Sequence, residues 1–107
     1  MNLLFVCSQN KLRSPTAESI FSDVANVNVR SAGLNNNAEI PLGPEDVVWA
    51  DCIFVMEQAQ KKKLRIHFKE HLKEQRVICL GIPDNYEYME PALIKLLKQK
   101  VPPYIGA

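Results

Sequence analysis

Apolar residues fall along this chain in two rhythms. The first is the short unbroken run, as in Leu3-Leu4-Phe5-Val6-Cys7, which reads as a strand buried on both faces. Four predicted strands follow this pattern: Asn2–Cys7, Val27–Ser31 (ended by Gly33), Asp51–Met56 and Arg76–Leu80. The second rhythm has apolar side chains at helical spacing. Ser14-Pro15 opens such a segment, with Ser as cap and Pro in the first turn, and Ala17, Ile20, Phe21 and Val24 follow. Pro44-Glu45-Asp46 starts a short helix with acid in its first turn. Glu57 to Lys73 predicts a basic amphipathic helix built on Leu64, Phe68 and Leu72. Pro91–Val101 predicts a last helix with Leu93, Leu96 and Leu97 inward, stopped by Pro102-Pro103. Leu34–Gly43 and Gly81–Met89 read as loops. Strands alternating with helices mean crossover connections, hence an α/β fold with a parallel sheet. Ligands of such sheets sit outside the carboxyl ends of the strands, and here the first strand ends in Cys7.

Composition narrows the classes. The 107 residues suit one domain over 1–107, and 47% hydrophobic with 23% charged residues is ordinary for a folded soluble protein. A net charge of +1 removes the electrostatic case for nucleic acid or an anionic membrane as partner. No apolar run approaches the roughly 18–20 residues that span a bilayer. The amino terminus lacks the basic region of a signal peptide, which points to the cytoplasm. Cys7, Cys52 and Cys79 are an odd count without paired spacing, so neither a disulfide framework nor a zinc site is expected.

The segment Cys7-Ser8-Gln9-Asn10-Lys11-Leu12-Arg13-Ser14 carries the candidate chemistry. A short loop between strand and helix can turn successive N–H groups into one concavity, which with the helix dipole holds a tetrahedral oxyanion. The residues of that cradle are Ser8, Gln9, Asn10, Lys11 and Leu12. Cys7 lies at its floor, where the dipole, Arg13 and a Ser14 hydroxyl favour a thiolate nucleophile. The Arg13 fork matches two phosphate oxygens, which Lys cannot reproduce. Asn10 is a residue type that tolerates the left-handed backbone a tight loop requires.

Leu4-Phe5-Val6-Cys7, Asn10 and Arg13-Ser14-Pro15-Thr16-Ala17-Glu18 resemble the opening of the low-molecular-weight protein tyrosine phosphatases. Ser31-Ala32-Gly33, Asp51–Met56 and Leu80–Tyr86 resemble their later segments, so the likeness runs over nearly the whole chain. The resemblance implies a three-layer α/β/α fold with a four-stranded parallel sheet and a phosphocysteine mechanism. It makes Cys7 the nucleophile, Arg13 the phosphate clamp, Ser14 the hydrogen-bond partner of the thiolate and Asn10 the loop organiser. It implies no cofactor and no metal, and a phosphorylated protein or small phosphomonoester as partner. The chain is a compact variant: the connection between strands two and three, which supplies part of the aromatic pocket wall in the family, is cut down.

Ester cleavage needs an acid for the leaving oxygen, then a base for water. Asp84 lies after the fourth strand, at the carboxyl edge of the sheet. The family carries its acid as Asp with an aromatic two residues on, and Asp84-Asn85-Tyr86 matches, although Asn85 replaces the family's Pro. Glu90-Pro91 is the rival acid, and equally reads as a helix start. Tyr86 and Tyr88 either flank an aromatic substrate or are ordinary half-buried loop residues. His67-Phe68-Lys69-Glu70-His71 has the spacing of a zinc protease motif, but both His border an apolar stripe and no third ligand is indicated. Lys61-Lys62-Lys63 with Arg65 reads as a solvated face. Two other functions stay open: arsenate reduction on the same fold, which needs relay cysteines, and a non-catalytic phosphate-binding or interaction module. A phosphocysteine subunit of a sugar phosphotransferase system is disfavoured by Arg13.

Overall fold

The structure, a computed structural model, describes residues 1–105. Its strands are β1 (Asn2–Cys7), β2 (Asn28–Gly33), β3 (Cys52–Val55) and β4 (Arg76–Cys79). They form one parallel sheet in the order β2-β1-β3-β4. The helices are α1 (Arg13–Phe21), α2 (Pro44–Trp49), α3 (Gln58–His67), α4 (Pro91–Lys100) and α5 (Pro102–Ile105), with a 3-10 turn over Lys69–His71.

Alternation along β1 sorts the core into two layers. Leu3, Phe5 and Cys7 join Cys52, Phe54 and Met56 on the face covered by Ala17 and Phe21 of α1 and Leu93 and Leu97 of α4. Leu4 and Val6 join Ile53 and Val55 on the other face, under Val47 of α2 and Leu64 of α3. Phe5 stacks between Phe21 and Phe54, with ring centroids 5.7 and 5.1 Å apart. The unbroken apolar run of β1 is thus explained by helices on both sides, in a three-layer α/β/α fold.

Several boundaries differ from expectation. Leu12, not Ser14, occupies the cap of α1, and it makes no side-chain cap bond. Ser14 sits inside the first turn, so its hydroxyl is free for another partner. The expected helix over Glu57–Lys73 ends at His67, because Phe68 leaves helical geometry at φ −121° and ψ 24°. His67 and His71 therefore do not share one helix, as a His-x-x-Glu-His site requires. Among the described residues no three His, Cys, Asp or Glu form a cluster able to hold a metal. Pro102-Pro103 ends α4 and also opens α5, since Pro suits a first helical turn. No described helix is long and apolar enough to cross a membrane.

The chain passes from β1 outward to β2, then returns to place β3 on the other side of β1. The crevice of such a sheet opens where that reversal occurs, at the carboxyl ends of β1 and β3. Gly33, at the end of β2, lets the chain press against the segment that leaves β1. A Cβ there would lie 2.5 Å from Ala38 Cβ, 2.8 Å from the Ser8 carbonyl oxygen and 3.0 Å from the Asn10 nitrogen. Backbone cannot retreat as a side chain would. Gly33→Ala is expected to lower the unfolding free energy by about 1–3 kcal/mol, the usual cost of overpacking. A urea titration checks this: the midpoint should fall while the slope stays constant.

Candidate active site

The segment from Ser8 to Leu12 is a loop, and the carbonyls of Cys7, Ser8, Gln9 and Leu12 are tied down by N–H groups outside it. Leu34 N–H donates to Cys7 O at 2.9 Å, Asn35 N–H to Ser8 O at 3.0 Å and Glu39 N–H to Gln9 O at 3.1 Å. Thr16 N–H donates to Leu12 O at 3.1 Å. Among the described residues, no N–H from Ser8 to Leu12 donates to another protein group. With the carbonyls held from outside, the concave side is left to main-chain donors, which is how a nest for an anion is made. Asn10 supplies the required turn at φ 55°, the left-handed region expected for it.

Beneath the loop runs a chain of side-chain hydrogen bonds. Asn10 Nδ2 donates to Ser14 Oγ and to Ser31 Oγ, both at 3.0 Å. Ser31 Oγ in turn is bonded to the Glu18 carboxylate. A carboxylate only accepts, so the Ser31 proton goes to Glu18. The Ser14 oxygen accepts from Asn10, which leaves its own proton for Cys7 Sγ, 2.9 Å away. The arrangement sets a hydroxyl, itself oriented by Asn10, directly against the sulfur. Glu18 and Ser31 were not singled out in the sequence. In sequence Ser31-Ala32-Gly33 offers only a likeness, and it takes the β1–β2 pairing of Phe5 with Ser31 to bring the hydroxyl under the loop.

Arg13 is 3% exposed, and its charge is held from three directions. Nη1 donates to the Ile82 carbonyl at 2.8 Å and lies 3.1 Å from Glu57 Oε2. Nε lies 3.8 Å from Asp84 Oδ1. Asp84 is 66% exposed and hangs from a loop pinned by Ile82 N–H to Met56 O at 2.8 Å and by Met89 N–H to Thr16 Oγ1 at 2.9 Å. The result is a cleft of about 110 Å³ lined by Cys7, Ser8, Gln9, Lys11, Leu12, Arg13 and Asp84.

Seven expected residues therefore line one cleft. Asn10 and Ser14 lie beneath it as supports. Tyr86 does not reach it: its ring packs against the core cluster of Phe5 and Leu93. Tyr88 is exposed. Glu90 sits at the cap of α4, where its carboxylate accepts the Glu87 N–H at 3.1 Å. A wider hollow of about 700 Å³, lined by Asp51, Glu70, His71 and Glu74 among others, opens beside the amino end of β3 and contains no cysteine. From sequence alone Glu57 marks only the start of a helix, and Gln60 carries no signal. Both reach the site from the start of α3.

The other cysteines are unlike Cys7. Burial pushes the Cys52 thiol up to about 11, and Arg76 only partly offsets this. Cys52 pairs with Arg76 and Cys79 with Val55 in the sheet. That register sets them three rungs apart, roughly 10 Å along the strands. A disulfide needs Cα atoms within about 7 Å, so this pair does not form a relay.

The sequence model of the low molecular weight phosphotyrosine protein phosphatases matches residues 2–48. The protein-arginine-phosphatase of Bacillus subtilis (strain 168) is 51% identical over 39 residues, 32% of this chain and 26% of the relative. That match spans about a quarter of the curated relative's length. Solved structures are similar over almost all of this chain. A YwlE arginine phosphatase mutant with a phosphorylated active-site serine superposes with a TM-score of 0.73 at 25% identity, covering 92% of both chains. The Erwinia amylovora tyrosine phosphatase amsI gives 0.78 at 18% identity, covering 98% of this chain and 91% of that one. The amino-terminal half thus resembles the low molecular weight phosphotyrosine protein phosphatases in sequence, and nearly the whole chain shares the fold of these solved phosphatases.

At pH 7, brief iodoacetamide treatment of the folded protein followed by peptide mass spectrometry should find Cys7 modified and Cys52 untouched. Inorganic phosphate should protect Cys7. Equal labelling of Cys7 and Cys52 contradicts the contrast drawn between the two sites.

Proposed function

We propose that this low-molecular-weight phosphatase relative hydrolyses phosphate monoesters through a phosphocysteine on Cys7. The observation that carries the reading is the set of loop N–H groups, Ser8 to Leu12, free of protein partners among the described residues, in a loop that lines one cleft with a sulfur hydrogen-bonded to Ser14. A tetrahedral dianion satisfies those donors, and the Cys7 sulfur then stands in line behind the phosphorus. The relatives support the chemistry, since replacing the cysteine with serine in the YwlE arginine phosphatase left a phosphorylated serine in its active site.

The steps follow from the groups present. The Cys7 thiolate attacks phosphorus, the P–S bond forms and the P–O bond to the leaving group breaks. Asp84, protonated and hanging over the cleft, gives its proton to the departing oxygen. Negative charge growing on the equatorial oxygens is met by the loop N–H groups and by the free edge of Arg13. In the second half Asp84, now a carboxylate, takes a proton from water. The water oxygen attacks phosphorus, the P–S bond breaks, and inorganic phosphate leaves with the thiolate restored. Exposure of Asp84 suits this double duty, because it reaches both leaving group and solvent.

The substrate class is open between two chemistries that the relatives represent. The cleft is lined by no aromatic ring, and Tyr86 is packed away from it. A tyrosyl ring thus gains no stacking partner there. That observation, with the protein-arginine-phosphatase relative, favours a second reading in which a phosphoarginine N–P bond is cleaved by the same steps. We take residues 1–107 as one phosphatase-like unit working in the cytoplasm on a phosphorylated protein or small phosphomonoester.

Release of p-nitrophenol from its phosphate ester, in the presence of a chelator, is the direct test. Cys7→Ser should abolish turnover. Asp84→Asn should lower kcat by about 100-fold or more, the usual scale of general acid catalysis. It should also remove the basic limb of the kcat–pH profile. An inert wild type from pH 5 to 8 defeats the proposal, and loss of that limb in Glu90→Gln instead moves the acid to Glu90. A panel of phosphotyrosine and phosphoarginine peptides decides between the substrate classes.

A further inference from the structure

The guanidinium of Arg13 has two usable edges, and the protein occupies only one of them. Nη1 donates to the Ile82 carbonyl at 2.8 Å and forms an ion pair with Glu57 Oε2 at 3.1 Å. The Nε side is left with Asp84 Oδ1 at 3.8 Å, too far for a hydrogen bond. Arg13 lines the cleft together with Cys7.

Glu57 is itself held. Gln60 Nε2 donates to Glu57 Oε2 at 3.3 Å and to Ser8 Oγ at 3.2 Å. Gln60 Oε1 accepts the N–H of Met56 at 2.9 Å and of Glu57 at 3.0 Å. The amide is 4% exposed and spends its whole hydrogen-bonding capacity on these four partners. One buried side chain thus joins the end of β3, the start of α3, the second residue of the phosphate loop and the carboxylate on Arg13. Glutamate is not a favoured cap residue. The residue types that cap best have side chains shorter by at least one methylene. The topology explains the meeting: β1 and β3 are neighbours, so the segments leaving their carboxyl ends face each other.

We propose that Glu57, braced by Gln60, is a positioning residue that occupies the Nη1 side of Arg13 and turns its Nε edge to the transferring phosphoryl group. The kinetic part of this claim rests on the phosphatase reading above; the binding part does not. Without Glu57 the guanidinium keeps one anchor at Ile82 and can rotate about it, so the fork no longer meets two phosphate oxygens. Misplacement of this order costs rate steeply, because the fork acts through geometry.

The experiment compares wild type, Glu57→Ala and Glu57→Gln. Glu57→Ala should lower kcat for p-nitrophenyl phosphate roughly tenfold or more, with little change in KM, and weaken vanadate binding by a like factor. Both limbs of its kcat–pH profile should persist, since Glu57 moves no proton. Glu57→Gln keeps an acceptor for Nη1 and should recover to within about threefold of wild type. A purely structural role would instead lower the melting temperature and leave vanadate affinity in the folded protein unchanged. If Glu57→Ala does not fold, Glu57→Asp carries the test. It keeps the charge but is one methylene short, and should show the same losses at a near-normal melting temperature. Unchanged kcat and vanadate affinity overturn the proposal, as does disappearance of the basic limb, which would make Glu57 the proton donor. Should the wild type release no p-nitrophenol, the phosphatase reading fails by itself. Calorimetric titration of vanadate into wild type and Glu57→Ala then decides the positioning role, with equal affinities overturning it.

Discussion

The site depends on three hydrogen bonds made on its outer side. The N–H groups of Leu34, Asn35 and Glu39 hold the carbonyls of Cys7, Ser8 and Gln9 away from the cleft. A peptide group has two polar ends, and fixing the acceptor end outward commits the donor end inward. The loop therefore faces the cleft as a ring of partial positive charge before any ligand arrives. Nothing has to reorganise for that field to act, which is the condition under which fixed dipoles stabilise developing charge most effectively. Close approach at Gly33 is what lets the outer segment reach the loop.

Burying Arg13 follows from the same constraint. A guanidinium behind a loop of donors is repelled by them and deprived of water, so it needs several acceptors to remain there. Ile82, Glu57 and Asp84 come from two different connections after β3 and β4, and they converge because all the strands are parallel and end at one edge. Their acceptors differ in kind: a carbonyl, a braced carboxylate and a loosely placed carboxylate. Only the last is at a distance that leaves it free to move toward a leaving group.

Much of this was legible in the residues. The apolar run before Cys7 and the Ser14-Pro15 start gave strand, loop and helix, and so the location of the thiol. Asn10 was readable as a left-handed residue because few other side chains accept that backbone. Asp84 was readable from its place after the fourth strand. What could not be read were contacts that depend on register and sheet order. Ser31 meets Asn10 only through its pairing with Phe5, and Gln60 meets Ser8 only because β3 lies beside β1. Ser14 misled in detail: its residue type suits a cap, yet Leu12 takes the cap position and frees the hydroxyl for Cys7. Helical periodicity past His67 also misled, since Phe68 and Leu72 still face the core after the helix has ended.

The ties from Leu34, Asn35 and Glu39 span more than twenty residues of chain, and those from Glu57 and Gln60 about fifty. A nascent polypeptide that has emerged only as far as α1 holds the entire Cys-to-Arg motif but lacks the struts from Leu34, Asn35, Glu39, Glu57 and Gln60. Chemical competence arrives last, with completion of the sheet. In an incompletely made copy of this chain the loop is thereby left without its outer ties.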